Sequence, residues 1–133
     1  MGSTSSSKPT KQLKDYVNWF EIPALNIQRA VSFYNHIYGL EMEITEANNY
    51  AMAFFPADKG IGGAIVMGEG SIPSEVGPLV YLNGGKDLSL VLNNIEAAGG
   101  RVVLPKTLID EDSGYFALFI DSEGNRLALH SQA

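Results

Sequence analysis

Hydrophobic and polar positions follow the same cycle twice along this chain. After the β-rich run "YVNWFEIPA", apolar side chains recur at helical spacing from Ile27 to Tyr38. Asn26 suits the N-cap of that helix, and Gly39 suits the left-handed residue that ends it. Three strand-like runs follow, "LEMEIT", "YAMAFF" and "GGAIVMG". The first half therefore predicts the order strand, helix, strand, strand, strand.

The same order returns about sixty residues later, as in a structural repeat. "GPLVYLN" predicts a strand, and "DLSLVLNNIEAAGG" predicts a helix with Asp87 as its N-cap and Gly99 at its end. Strands near "RVVLPK", "GYFALFID" and "NRLALHS" complete the unit. Neither unit covers both sides of its own sheet, so we expect the two to combine. The predicted fold class is α+β: two βαβββ modules whose sheets form a shared, partly open, barrel-like cavity.

Polar segments mark the expected boundaries. The first 14 residues are rich in Ser, Thr and Lys with little to bury, so residues 1–14 are expected to be a disordered tail. Residues 15–133 form one predicted domain, with halves at about 15–69 and 78–131. The segment between them, "GEGSIPSEVG", has the composition of a loop.

Composition narrows the function classes. Nine basic and fifteen acidic residues give a net charge of −6, the wrong sign for an electrostatic nucleic-acid binder. Without cysteine, the chain has no disulfides, thiolate metal ligands or cysteine nucleophiles. No apolar run approaches the roughly 20 residues that cross a bilayer, and the N-terminus lacks a secretory signal. We therefore expect a cytoplasmic protein without nucleic-acid or membrane partners.

Three segments carry a family resemblance. "RAVSFYNHIYGLEM", "IEAAGGRVV" and "FIDSEGNRLALH" resemble the vicinal oxygen chelate superfamily, which includes glyoxalase I, bleomycin-resistance proteins and extradiol dioxygenases. The resemblance covers roughly residues 16–131 and implies the paired-module fold and a homodimer. It leaves the function open, because this fold hosts lyases, isomerases, dioxygenases and binding proteins.

The resemblance also gives the places where a metal would be held. Members with metal chemistry use His, Gln or Glu on the inward faces of four strands, ligands that suit divalent cations. These places align here with Trp19, with Val80, with Ala128 and with a position in "GGAIVMG". None supplies such a ligand. We therefore expect a member without the usual metal site, and no cofactor.

Strand alternation predicts which side chains share the cavity. Trp19 and Glu21 should point inward, and Phe20 and Ile22 toward the helices. In the second half we expect Val80, Leu82, Tyr115, Ala117 and Phe119 to point inward, with Arg126, Ala128 and His130 on one face of the last strand. The candidate ligand-binding residues are Trp19, Glu21, Tyr50, Phe54, Leu82, Tyr115, Arg126 and Ala128.

Two side chains are candidates for acid-base chemistry. Glu21 in an apolar cavity would act as a general base or hold a ligand donor, and the alternative is a structural ion pair with a nearby Arg or Lys such as Arg126. His130 is a weaker candidate, because a histidine near the C-terminus is commonly a surface residue. His36 falls between the apolar positions of the first helix and is expected to face solvent.

Three functions remain open. The first is a metal-independent binding protein that holds a small, partly apolar molecule between the modules. The second is a glyoxalase- or lyase-type enzyme that uses Glu21 as base, with or without a relocated divalent metal. The third is a dimeric interaction protein without a small ligand.

Overall fold

The computed structural model describes residues 12–133, which form two modules of the expected element order. Within this part of the chain, residues 12–14 have no regular structure and are exposed, and the rest of the predicted tail lies outside the described residues. The first module comprises β1 (Trp19–Pro23), α1 (Ile27–Tyr38), β2 (Ile44–Ala47), β3 (Tyr50–Phe54) and β4 (Gly62–Met67). The second comprises β5 (Tyr81–Asn83), α2 (Ser89–Leu92), β6 (Arg101–Asp110), β7 (Gly114–Ile120) and β8 (Arg126–Ser131). The α+β class and the two βαβββ modules are confirmed.

Each module forms its own four-stranded sheet. The strand orders are β1-β4-β3-β2 and β5-β8-β7-β6. In each sheet the first and last strands of the module pair in parallel, and the other neighbours pair antiparallel. The two sheets are not closed into a barrel, so β1 and β5 remain edge strands on either side of the space between the modules.

Helix α1 begins and ends as its sequence predicts. The side chain of Asn26 accepts a hydrogen bond of 3.0 Å from the Arg29 N–H, and Gly39 is left-handed at φ 68°. Its apolar stripe is buried. Cap, stripe and terminator therefore agree with the sequence in this element.

Helix α2 is much shorter than predicted. Only Ser89–Leu92 is α-helical, and turns continue the chain to Gly99. The N-cap position is Leu88, and Asp87 instead accepts the Ser89 N–H one residue earlier. Adjacent Asn93 and Asn94 explain the early end, because asparagine competes for backbone hydrogen bonds and disfavours helix interiors. Neither helix of the described chain is long and apolar enough to cross a bilayer.

One core lies between the helices and the covered faces of both sheets. Ile22, Ala53 and Ile65 supply it from the first sheet, and Phe119 and Leu129 from the second. The ring of Phe33 on α1 stacks against Phe119 with centroids 6.2 Å apart. Helix α1 therefore joins the modules, and the opposite faces of both sheets point away from the core.

A buried carboxylate ties the β7–β8 turn to the start of α1. The Glu123 side chain has no exposed surface and accepts hydrogen bonds from the N–H groups of Leu25 and Asn26, at 2.9 and 2.8 Å. It also forms an ion pair with Arg29 at 2.8 Å, and Ser122 donates to it. Burial alone would raise the pKa of Glu123, but together these donors hold that pKa below its ordinary value.

The same turn holds two further inter-module bonds. The hydroxyl of Tyr34 on α1 donates to the Asp121 carboxylate at 2.7 Å, in a fully buried position. The Asn125 amide donates to the Pro23 carbonyl at 2.7 Å and to Asp121 at 3.0 Å. The turn is therefore an internal clamp between the modules, although its sequence resembles that of a surface turn.

Replacing Glu123 should destabilise the whole fold. In Glu123→Ala, the N–H groups of Leu25 and Asn26 and the Arg29 guanidinium lose their acceptor, and the buried space of the carboxylate is left empty. We therefore expect the free energy of unfolding to fall by about 2 kcal/mol. Urea unfolding measures this change. The control is Glu75→Ala, at an exposed carboxylate in the inter-module linker between β4 and β5. We expect its free energy of unfolding to change by no more than about 0.5 kcal/mol.

The same carboxylate predicts the direction of acid sensitivity. A pKa lowered by folding adds stability at neutral pH that is lost as the pH falls through the folded value. The wild-type protein should therefore lose stability below about pH 4.5 more steeply than Glu123→Gln. Identical slopes in the two proteins would contradict this assignment.

Candidate functional site

The open face of the first sheet carries four of the candidate residues. Trp19 lies opposite Gly62 in the register, and Glu21 opposite Ala64, which also faces Phe54. Tyr50 alternates with Phe54 on β3 and shares its face. The rings of Trp19 and Phe54 are 6.0 Å apart, and Trp19 keeps 43% of its surface exposed. The face is therefore an accessible aromatic surface with one carboxylate.

The open face of the second sheet carries the other polar candidates. Arg126, Ala128 and His130 alternate along β8. Tyr81 lies opposite Ala128, and Asn83 lies opposite His130. The register therefore assigns Tyr81, and not Val80, to the face that Ala128 occupies.

Several second-half side chains predicted to point inward lie on the helix-covered face of their sheet. Leu82 lies opposite Leu129, and both belong to the core under the helices. Tyr115 packs against that core and carries the Lys106 ammonium 4.5 Å from its ring centre, and Ala117 and Phe119 are core residues. Strands "LVYL" and "GYFALFI" are apolar on both faces, so their alternation does not fix which face is covered.

Glu21 occupies a different environment from the one expected. Its carboxylate accepts a hydrogen bond of 3.3 Å from the Trp19 indole N–H and is exposed. Among residues 12–133 it forms no ion pair, so the predicted partnership with Arg126 is wrong. Since Glu21 is exposed, the single chain does not supply the apolar surroundings that its proposed role as base requires.

His130 is held by a backbone carbonyl. Its Nε2 lies 2.6 Å from the oxygen of Ser113. A carbonyl oxygen only accepts, so Nε2 must carry the hydrogen and Nδ1 is left as the acceptor of the neutral ring. His36 is exposed on α1, as its position in the helix predicts.

The residues at the expected metal positions do not fit a divalent cation. Trp19 and Ala128 stand on the open faces, β4 presents Gly62, Ala64 and Val66 beside Trp19, and β5 presents Tyr81. In the described part of the chain, no three His, Asp or Glu side chains are grouped to hold an ion. This donor set lacks the imidazoles and carboxylates that a first-row metal needs.

A cavity of about 540 Å³ opens between the modules, on the helix side of β1. Its walls come from the start of β1, the end of α1, the β3–β4 loop and β5. The ring of Phe20 can lie here because Gly63 has no side chain: a Cβ at Gly63 would come within 2.3 Å of that ring. The lining residues are Val17, Phe20, Tyr38, Leu40, Phe55, Pro56, Ala57, Ile61, Leu79, Val80, Tyr81, Leu82 and Asn83.

The polar groups in this cavity are few and neutral. The Tyr38 hydroxyl donates to the Asn83 carbonyl at 2.7 Å, and burial raises the pKa of this phenol. Among residues 12–133, no charged side chain lines this cavity. Such walls favour an uncharged, apolar molecule.

Sequence reasoning missed most of this cavity. Of the candidate residues, only Leu82 belongs to its lining. The sequence predicts that Phe20 faces the helices, which is correct, and that Tyr38 belongs to the apolar stripe of α1. The spacing of residues along an element identifies a covered face, but it does not show whether the covering is complete.

The fold is shared with solved structures of glyoxalase-type proteins. A glyoxalase-related enzyme from Fulvimarina pelagi superimposes with a TM-score of 0.65 at 12% identity, over 90% of this chain and 88% of that chain. A glyoxalase/bleomycin resistance protein from Albidiferax ferrireducens T118 gives 0.64 at 12% identity, over 90% and 100%. Glyoxalase I from Zea mays gives 0.64 at 17% identity, over 87% of this chain but 44% of that chain.

These likenesses confirm the fold that the sequence resemblance implies. No protein-family model matches the sequence, and comparison with curated proteins gives no match. The chain therefore shares the fold of these glyoxalase and bleomycin-resistance structures, with Trp19, Tyr81 and Ala128 among the residues on its open faces.

The donor set predicts weak metal binding. After equilibration of the untagged protein with Zn²⁺, Ni²⁺ or Mn²⁺ and exhaustive dialysis, we expect far less than one equivalent to remain, because the open faces lack a ligand set. Elemental mass spectrometry measures the ratio. One retained equivalent that disappears in His130→Ala would contradict the prediction and place a relocated site at His130.

Proposed function

We propose that this protein is a metal-independent binding protein for a small, uncharged, largely apolar molecule. The observation that carries the proposal is the cavity between the modules. Its volume of about 540 Å³ falls within the roughly 300–1,000 Å³ typical of small-molecule sites. Aromatic and aliphatic side chains dominate its walls.

The chemistry of the cavity supports a neutral ligand over a charged one. An ion placed among apolar walls would lose its hydration without gaining a counter-charge. The Asn83 carbonyl and the Tyr38 hydroxyl at one end offer hydrogen bonds to a single polar group. A flat or branched apolar molecule with one hydroxyl group fits these features, because the Tyr38 hydrogen is already donated to Asn83 and only acceptor sites remain.

Catalysis through Glu21 has weaker support. The carboxylate lies on the opposite face of β1 from this cavity and is exposed. A ligand in the cavity is therefore separated from it by the strand itself. The binding function accounts for the geometry without a reacting group.

An uncharged dye should report the cavity. N-phenyl-1-naphthylamine should bind with a fluorescence increase that saturates at one equivalent. Ala57→Phe places a ring among the lining residues, so we expect the dissociation constant to rise at least about tenfold. Fluorescence titration measures both values.

The matched control is Ala47→Phe. Ala47 is also exposed, and it lies on β2 outside the cavity. This variant should bind the dye like the wild type. Equal dissociation constants for Ala57→Phe and the wild type would contradict the cavity as the binding site.

We also propose that the protein forms a homodimer through the open sheet faces. The supporting observation is their exposed aromatic surface, with Trp19, Tyr50 and Phe54 on the first sheet and Tyr81 on the second. Exposed aromatic side chains grouped in this way commonly mark an interface. A second copy of the chain offers the same side chains, so a symmetric contact can pair them.

Polar substitution of these faces should separate the dimer. The double variant Trp19→Ser and Phe54→Ser removes a ring pair and should shift the protein toward monomer at a concentration where the wild type is dimeric. Sedimentation equilibrium measures the mass. Leu90→Ser, at an exposed apolar residue on α2, is the control. A monomeric wild type would contradict the proposal.

A further inference from the structure

A second recess borders β1 further along the strand than the cavity. The cavity is lined by Val17 and Phe20, and this cleft by Glu21 and the two residues that follow it. The cleft has a volume of about 270 Å³ and lies between β1, the inter-module linker and the start of β8. Its walls are mainly apolar, with Ile22, Val80 and Leu127 among them.

Arg126 brings a fixed positive charge to this cleft. Its backbone N–H donates to the Ser74 carbonyl at 3.2 Å, which holds the start of β8 against the linker. Its side-chain Nε is buried and has no hydrogen-bond partner among residues 12–133. No ion pair of the described chain involves this guanidinium, so its charge is left for a carboxylate brought by another molecule.

Glu21 brings a negative charge to the same cleft without neutralising the first. One of its oxygens accepts the Trp19 indole N–H. In the described chain, no ion pair of 4.0 Å or less joins it to Arg126. Two opposite charges therefore line one small apolar recess without contact between them.

We propose that this cleft binds a small zwitterionic molecule of the α-amino-acid class with an apolar side chain. Its carboxylate accepts from Arg126, since guanidinium groups suit carboxylates. Its ammonium group donates to Glu21, and its side chain contacts Ile22, Val80 and Leu127. The inference does not rest on the proposed cavity ligand: Val80 lines both recesses, but Glu21 and Arg126 line only the cleft.

Leucine and its two single-charge analogues test the proposal. 4-Methylpentanoate lacks the ammonium group, and 3-methylbutylamine lacks the carboxylate. By isothermal titration calorimetry of the full chain, we expect leucine to bind at one site and each analogue at least about tenfold more weakly. Amide shifts in NMR spectra should concentrate in the linker and at the start of β8.

Two variants assign the charges, and a third serves as control. Arg126→Gln should weaken leucine and 4-methylpentanoate at least about tenfold and leave 3-methylbutylamine unchanged. Glu21→Gln should weaken leucine and the amine and spare the carboxylate analogue. Arg101→Gln, at an exposed arginine on β6 outside the cleft, should bind all three like the wild type.

Several outcomes would overturn the proposal. They are no binding of leucine at millimolar concentration, equal binding of all three probes, or leucine binding that survives Arg126→Gln. Leucine binding should also be unchanged in Ala57→Phe, which blocks the cavity. A loss of dye binding in Ala57→Phe with retained leucine binding therefore separates the two sites, and failure of one test leaves the other intact.

Discussion

The buried Glu123 carboxylate is the interaction on which the arrangement of the two modules depends. It comes from the β7–β8 turn of the second module and satisfies the N–H groups that precede α1 of the first. Arg29 on α1 compensates its charge, which a buried position would otherwise make very costly. Because α1 also carries Phe33 onto Phe119, fixing the start of this helix fixes the space between the modules. The cavity and the cleft exist only while that spacing is held.

Strand β1 borders two chemically different recesses at successive positions along its length. Phe20 faces the neutral cavity, and Glu21 faces the cleft with Arg126. Glycines on β4 make this possible. Gly63 leaves room for the Phe20 ring, and a Cβ at Gly62 would stand 3.1 Å from the Trp19 ring. The pair "GG" in β4 is therefore a packing requirement of the aromatic residues on β1, and a larger residue at Gly63 would displace Phe20 from the cavity wall.

The first module follows its sequence closely, and the second does so less well, for identifiable reasons. In α1 the cap, the apolar stripe and Gly39 all indicate one helix, so local preference and tertiary packing agree. In α2 the apolar spacing predicts a longer helix, but Asn93 and Asn94 disfavour it, and the helix ends at Leu92. Strand β7 is apolar on both faces, so its alternation does not show that Tyr115, Ala117 and Phe119 belong to the helix-covered face. The burial of Glu123 depends on α1 arriving from 94 residues away, and no local pattern contains that information.

The side chains at the metal positions change what this fold can do. Where a metal would polarise two substrate oxygens, the chain places Trp19 and Ala128, with Gly62 and Ala64 beside the tryptophan. The exposed indole offers contact area, whereas Ala64 and Ala128 are fully buried, and none of these residues supplies a Lewis acid or a fixed charge. The charges that remain nearby, Glu21 and Arg126, stand two residues away from these positions along β1 and β8. Glu21 shares its face of β1 with Trp19, and Arg126 shares its face of β8 with Ala128. The open faces therefore keep the geometry of the fold, and their charged side chains suit recognition of a ligand.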